Sequence, residues 1–561
     1  MREFARRNVL LLLLAVLGLA GVAGALLLRE HSFPVATVSF RVLGPQAETL
    51  ARVYLGERGF DLAGYSCAVA FTVDDAAKNY IHKEAGLSTL NRLAAGDVAV
   101  WRWRVRFFRE LEQEEFNVEI ATDGRTTGFW RVLPEDAPGA DPTLDEAQAA
   151  AEAFLASGGR DLADYRLVSA STARRRARSD HFFTWENKDF KLGEVTYRVD
   201  VWLQGDRVAG FREYLKIPET WLRQSAQETN RGSVLALVGW ALTYALALAM
   251  AVVCLLRLRA GGVRWRFALA LALALGAVGV ATGVNSLPLL MIDYPTTSTL
   301  GAYIWARLQA QAASLIPTAL AVVLAGVAGD WLYAAVLRAR LPLSTIASRQ
   351  GIVSGEFAKG VLAGYAVAGI GLGYVTAFYA ATGKLFGTWW PAEVPYRDLM
   401  STFLPGLYPL TVGFGAAISE ELLFRLFAVP FFLWLGIAAV RGRPAFLAHP
   451  HLRRIAAAAV VVVAIVAPAL IWGTLHATYP QQPFYIRTLE LGISGSVWAL
   501  VMLRYGIVAT ITSHYVYNAS VIGGLFFLSG SPYLSASAVV VIVLPLLLLA
   551  PALVRRLRGK E

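Results

Sequence analysis

The sequence predicts a mostly α fold: a polytopic bundle of transmembrane helices, with one soluble α+β domain of two repeats inserted near its start. Three observations predict it: scarce charge, long apolar runs and an internal self-similarity. Of 561 residues, 17% are charged and 56% hydrophobic, whereas soluble domains carry about 25% charge. Uncharged apolar runs cover 9–28, 234–256, 267–292, 455–472 and 538–553, each close to or beyond the ~20 residues that cross a bilayer as a helix.

The first element, 1–30, reads as a membrane anchor helix. Ala23-Gly24-Ala25 has the small-x-small pattern of a signal-peptide cleavage site, but the run stays apolar past it. A retained anchor with an inner N-terminus is therefore expected.

Residues 31–230 have the composition of a soluble domain, and they repeat. Ala51, Leu55, Gly59, Asp61, Leu62, Ala63 and Tyr65 recur as Ala151, Leu155, Gly159, Asp161, Leu162, Ala163 and Tyr165. Further on, Val118-Glu119-Ile120 with Gly124, Gly128 and Phe129 echoes Val199-Asp200-Val201 with Gly205, Gly210 and Phe211. Each unit reads as an amphipathic helix followed by alternating strands and a Gly turn. In pattern the domain resembles PepSY-type modules. No catalytic spacing occurs in it, so it is expected to lie outside the membrane as a binding or inhibitory domain for a regulatory partner.

The remainder divides into transmembrane helices at 231–400, a core at 401–530 that holds the unusual polar residues, and a last span with a basic tail at 531–561. The net charge of +11 raises nucleic acid as a partner, but its placement argues against that. Arginines cluster at the ends of apolar runs: Arg2, Arg6, Arg7; Arg257, Arg259, Arg264, Arg266; Arg338, Arg340; Arg441, Arg443, Arg453, Arg454; Arg555, Arg556, Arg558. That is the positive-inside pattern of a chain whose partner is the lipid bilayer, and it gives about ten spans with both termini cytoplasmic. A bacterial inner membrane is the expected location. Cys67 and Cys254 lie in different zones and imply neither a disulfide framework nor a thiolate metal site. The stretch 403–440 is too long for one simple crossing at ~1.5 Å per residue; with Pro405, Pro409 and Pro430 it predicts a broken or bent element.

That stretch contains Ile418-Ser419-Glu420-Glu421-Leu422-Leu423-Phe424-Arg425. Each charge inside an apolar helix costs roughly 2.5–3.5 kcal/mol on insertion scales. Glu421 and Arg425, four apart, can pair on one face. Glu420 points about 100° away and is left without that partner, which suits a general base; a structural ion pair with a snorkelling second glutamate is the plainer reading. Trp472-Gly473-Thr474-Leu475-His476 closes an apolar run, where a lone histidine is usually interfacial. His514 and Asn518 share a helix face within 507–528 and can aim two donors at one point; alone, they would make an interhelical clasp worth only ~0.6 kcal/mol.

Together these motifs resemble the CAAX-protease/bacteriocin-processing (CPBP) family of type II CAAX prenyl endopeptidases and their bacterial relatives. The family has Glu-Glu-x-x-x-Arg, Phe-x-x-x-His and His-x-x-x-Asn or Asp in that order. Here they stand as Glu420-Glu421…Arg425, Trp472…His476 and His514…Asn518, with Trp472 where Phe is usual. The resemblance covers roughly 401–528. It implies an intramembrane endopeptidase acting on protein or peptide substrates that are membrane-associated or lipid-modified. Glu420 and His476 would activate water, His514 and Asn518 would bind the oxyanion, and Glu421 and Arg425 would support Glu420's helix. Glu420, His476 and His514 also make up a catalytic zinc set with one position open, so metal and glutamate mechanisms both stand at this point.

Other intramembrane chemistries fit less well. There is no His-Glu-x-x-His, and Gly326-Val327-Ala328-Gly329-Asp330 lacks the second aspartate motif an aspartyl protease requires. A transporter or catalytically silent receptor, using the same polar residues, is the alternative of a different class. One geometric condition is only half met. Helices starting near 418 and 455 would place Glu420 and His476 at one end, while His514 lies roughly 10 Å in from the opposite side. Some segment must bend or stop short for all to meet.

Overall fold

The structure is a computed structural model that describes every residue except 1, 33–37, 39, 262, 339, 392–395, 443–448 and 558–561. Arg443 and Arg558 of the basic clusters lie outside the described residues, as do the side chains of Arg2, Arg6, Arg7 and Arg556. The chain begins with α1 (Arg2–Ser32) and α2 (Gly44–Glu57), followed by β1 (Ser66–Val73), β2 (Trp101–Phe108), β3 (Glu115–Ala121) and β4 (Thr126–Val132). Next come α3 (Leu144–Ser157), β5 (Tyr165–Arg174), β6 (Ser179–Asn187), β7 (Thr196–Gln204) and β8 (Arg207–Lys216).

All eight strands form one antiparallel sheet in the order β1-β2-β3-β4-β8-β7-β6-β5. Each repeat supplies four strands, and the halves join where Phe129 of β4 faces Phe211 of β8. The repeated residues are those the architecture needs twice. Ala51 and Leu55 in α2, like Ala151 and Leu155 in α3, are buried in the core. Gly59 and Gly159 follow the helices with φ of +73° and +77°, a region where a side chain is strained. Asp61 and Asp161 then each accept the N–H two residues on, from Ala63 and Ala163, at 2.9 Å, the same Asx turn leading into a strand.

The membrane part follows as α4 (Glu219–Ala260), α5 (Trp265–Asn285), α6 (Leu300–Val336), α7 (Gly355–Phe386), α8 (Leu407–Glu420), α9 (Val429–Arg441), α10 (Pro450–Leu475), α11 (Ile486–Tyr505), α12 (Ile507–Gly523) and α13 (Pro532–Leu547). Among the described residues eight helical elements are long and apolar enough to cross a bilayer, with Leu407–Arg441 counting as one. Helices α12 and α13, at 17 and 16 residues, are shorter. The expectation of about ten spans is met only if both are included. With 42 residues, α4 is roughly 63 Å long, twice a hydrocarbon core, so part of it projects toward the sheet. α1 packs backbone to backbone on α7: a Cβ on Gly18 would stand 2.5 Å from Ala366 O, and one on Gly369 2.5 Å from Gly18 O. Such small-residue contacts let membrane helices approach closely.

The stretch 403–440, expected as a broken or bent element, holds one helical element over Leu407–Arg441 whose regular bonding is interrupted midway. Between α8 and α9 the turn widens to a π-helix over Glu421–Ala428. The bonding changes just ahead of Pro430, which has no N–H to continue it. The helix begins at Leu407, not near 418, so Glu420 lies well inside the bundle instead of at an end.

The sheet rests on the membrane part. Phe71 N donates to Ser401 Oγ at 2.8 Å, and Arg106 Nη1 to the Met291 and Ile292 carbonyls at 3.2 and 3.1 Å. Lys83 Nζ donates to Gln482 Oε1 at 2.7 Å, and Trp389 Nε1 to His82 Nδ1 at 3.1 Å. Trp389 and Gln482 exchange backbone hydrogen bonds of 2.8 and 2.9 Å. This places the sheet domain on the loop that follows His476.

Candidate active site

Three elements carry the chemistry-bearing side chains: α8 and its π-turn bring Glu420, Glu421 and Arg425, the end of α10 brings Trp472 and His476, and α12 brings His514 and Asn518. Glu421 is fully buried. Its Oε1 accepts from Arg425 Nη1 at 3.1 Å and lies 2.9 Å from His514 Nδ1. The i, i+4 pair read from the sequence therefore forms, and it also reaches a third helix. Arg425 lies over the Trp472 ring at 4.2 Å and the Trp498 ring at 5.2 Å, so two cation–π contacts and one carboxylate accommodate its buried charge.

Glu420, about 28% exposed, is the accessible member of the pair. Trp472 Nε1 donates to its Oε2, and His514 Nε2 stands 3.9 Å from that same oxygen. Consecutive helical residues diverge by about 100°, which is how adjacent glutamates come to flank opposite nitrogens of one imidazole. A carboxylate at Glu421 only accepts, so Nδ1 carries the proton and the neutral His514 ring presents a lone pair at Nε2. Donation from Nε2 to an oxyanion requires the doubly protonated ring.

His476 caps α10. Its Nδ1 lies 3.0 Å from the Trp472 carbonyl, again an acceptor only, so Nε2 is the free lone pair. Its ring is 5.5 Å from that of Trp472, whose other neighbours include His514 at 5.9 Å. Among the described residues no hydrogen bond or ion pair joins His476 to Glu420 or His514. Asn518 sits one turn beyond His514, half-buried, with no side-chain hydrogen bond among the described residues. The structure thus brings Glu420, Glu421, Arg425, Trp472 and His514 into one connected cluster, with His476 and Asn518 at its margin.

The zinc set read from the sequence fits this arrangement poorly. Donors on one tetrahedral zinc lie about 3.3 Å apart. Glu420 Oε2 and His514 Nε2 come near that, but among the described residues no three His, Cys, Asp or Glu side chains group closely enough to hold a metal ion. Among the described residues His476 is the member without a hydrogen bond or ion pair to the other two.

Sequence reasoning missed two parts. Trp498 walls His514 at 4.8 Å, and an aromatic in an apolar run carries no spacing signal. A second buried ion pair, Arg487 with Glu490, lies on α11 beyond the His476 loop; opposite charges three apart in an apolar run were a legible sign of it. Asp330 of the near-miss aspartyl motif has a structural use instead: its carboxylate accepts from Ser344 N at 3.1 Å and from Ser344 Oγ.

Comparison with known proteins falls on this region. Residues 402–520 match the family model for Type II CAAX prenyl endopeptidase Rce1-like proteins. The sporulation-killing factor biosynthesis protein SkfC of Bacillus subtilis (strain 168) is 21% identical over 117 residues, which are 21% of this chain and 18% of that protein. The chain therefore matches less than a fifth of that relative's length. No solved structure matches. The matched segment holds Glu420, His476, His514 and Asn518, and it is similar to the type II CAAX prenyl endopeptidase Rce1-like family.

Proposed function

We propose that this chain is an intramembrane endopeptidase that hydrolyses peptide bonds in membrane-associated or lipid-modified protein substrates. The observation that carries the reading is His514 held between two carboxylates, Glu421 at Nδ1 and Glu420 toward Nε2, beside the Trp472 and His476 end of α10. Glu420 takes a proton from a water that His476 orients through Nε2. The hydroxide adds to the scissile carbonyl carbon, and the oxyanion accepts hydrogen bonds from the Asn518 amide and, with the ring doubly protonated, from His514 Nε2–H. When the C–N bond breaks, the leaving nitrogen takes its proton back from Glu420. Such preorganised donors commonly contribute ~10²–10³ in rate each.

Glu421, Arg425 and Trp472 act as positioning residues: the first sets the His514 tautomer, the second balances that charge, and the third holds Glu420. Water reaches Glu420 because its side chain is partly exposed, whereas Glu421 is closed off. The apolar surroundings of the site favour substrates that enter from the bilayer.

The test is cleavage of an unbiased peptide library by the detergent-purified full chain, with Glu420→Gln, His476→Ala and His514→Ala beside it. A chelator arm separates a metal mechanism from a glutamate one. Loss of cleavage in all three variants, at unchanged elution volume, supports the assignment. Full activity in any one of them removes that residue from the site.

A further inference from the structure

A cavity lies in the sheet domain, where the two repeats meet. It has a volume of about 650 Å³, and its walls include Tyr54, Arg58, Asp97, Phe154, Arg160 and Glu213. That is within the ~300–1,000 Å³ of small-molecule sites. The repeats agree at the positions that build the fold and differ at several of those in or beside the wall of this space. Tyr54 stands where the second repeat has Phe154, Arg58 where it has Gly158, and Phe60 where it has Arg160. A Cβ at Gly158 would lie 2.7 Å from Arg160 Nη1, so the glycine leaves room for that guanidinium.

The charges are unevenly settled. Arg160 is paired with Glu213, and Arg125, also in the wall, with Asp123. Arg58 has no carboxylate partner among the described residues: its Nη1 donates to the Tyr54 carbonyl at 3.0 Å, and its Cζ lies 3.5 Å over the Tyr54 ring. The Tyr54 hydroxyl is closed off from solvent, so the Arg58 guanidinium, not the phenol, is the donor the wall presents. Asp97, exposed on the wall, has neither an ion pair nor a side-chain hydrogen bond among the described residues. Among the described residues the wall therefore offers a cation without a carboxylate partner, Arg58, an unpaired carboxylate, Asp97, and aromatic rings.

We propose that this cavity binds short peptides with free termini, the C-terminal carboxylate on Arg58, the α-ammonium toward Asp97, and an apolar side chain against the rings. A simple anion such as inorganic phosphate would leave both Asp97 and the aromatic walls unused. The proposal is independent of the chemistry assigned to Glu420.

Calorimetric titration of the full chain, carrying Glu420→Gln so that peptides persist, tests it. The probes are tripeptides and tetrapeptides with an aromatic C-terminal residue, each as free acid, C-terminal amide and N-acetyl acid, with inorganic phosphate as competitor. Free acids are expected to bind, and amides to bind about ten-fold or more weakly, the scale of one lost charge-assisted hydrogen bond. Arg58→Gln should weaken the acids to the level of the amides. Asp97→Asn should weaken the free-amine acids and leave the N-acetyl acids unchanged. Arg58→Lys, which keeps a cation at that place, guards against a misfolded arginine variant and should retain a preference for acids over amides. Equal binding of acids and amides, wild-type affinity in Arg58→Gln, phosphate competing as well as the peptides, or no binding of any acid would overturn it.

Discussion

Glu421 does two things at once, and a pair of variants can separate them. Its Oε1 faces both Arg425 Nη1 and His514 Nδ1 from a fully buried position. Glu421→Gln keeps the volume and one acceptor oxygen but removes the charge. Breaking a buried ion pair costs about 3–5 kcal/mol because the remaining charge is uncompensated. Here Arg425 still stacks on Trp472 and Trp498, and cation–π contacts are worth ~1–2 kcal/mol when desolvated. A destabilisation of roughly 3 kcal/mol is expected. Activity should fall separately, because the amide no longer requires the proton on Nδ1; loss of a partner that orients an active-site histidine typically costs ~10–100-fold. Converting Arg425 to Met in the same chain removes the uncompensated cation. Glu421→Gln/Arg425→Met should therefore regain stability to within about 1 kcal/mol of the parent, while kcat/KM stays low. Thermal unfolding in detergent reads the first quantity, and hydrolysis of a library-derived peptide, corrected for folded fraction, reads the second. If the double variant recovers activity along with stability, Glu421 merely balances Arg425 and the tautomer argument is wrong.

Three further outcomes are expected. Trp472→Phe keeps the aromatic wall but loses the N–H to Glu420. It should lower kcat about ten-fold with KM nearly unchanged, the effect of ~1.4 kcal/mol; a change confined to KM would place Trp472 in substrate binding instead. Gly473→Ala puts a Cβ 2.6 Å from Thr488 O, so α10 and α11 must separate. Overpacking of this kind costs ~1–3 kcal/mol, and a melting temperature equal to the parent's would show the interface to be looser than described. In the sheet domain, burial and then the Lys78 charge pull His82 down to about 4, against ~6.5 unfolded. The unfolded chain binds the extra proton between those values, so the stability of the His82–Trp389 contact is present above pH ~6.5 and fades as pH falls toward ~4, by at most about 3 kcal/mol. The melting temperature of the parent should drop more than that of His82→Gln over that interval; parallel drops would sink the idea.

Much of this molecule was determined locally and could be read locally. Apolar runs of bilayer length specify membrane helices whatever their neighbours, because no unpaired backbone polar group is tolerated in hydrocarbon. The paired Ala, Leu, Gly and Asp positions of the two repeats marked the same helix, the same left-handed turn and the same Asx turn, each a short-range requirement. The Glu421–Arg425 pair was legible because helical spacing alone brings residues four apart together. What only the tertiary structure decided are relations between elements distant in sequence. Spacing on α8 says nothing about which nitrogen of His514 Glu421 will meet, since 93 residues separate them. Nor does it reveal that Trp472, expected as a wall, donates to Glu420 from 52 residues away. The depth of Glu420 is not legible because the prolines point to a break, whereas the helix runs on from Leu407 through a widened turn. The sheet's seating on the loop after His476 likewise depends on side chains that carry no periodic signal, His82, Lys83 and Trp389, and becomes visible only when three separate segments are folded against one another.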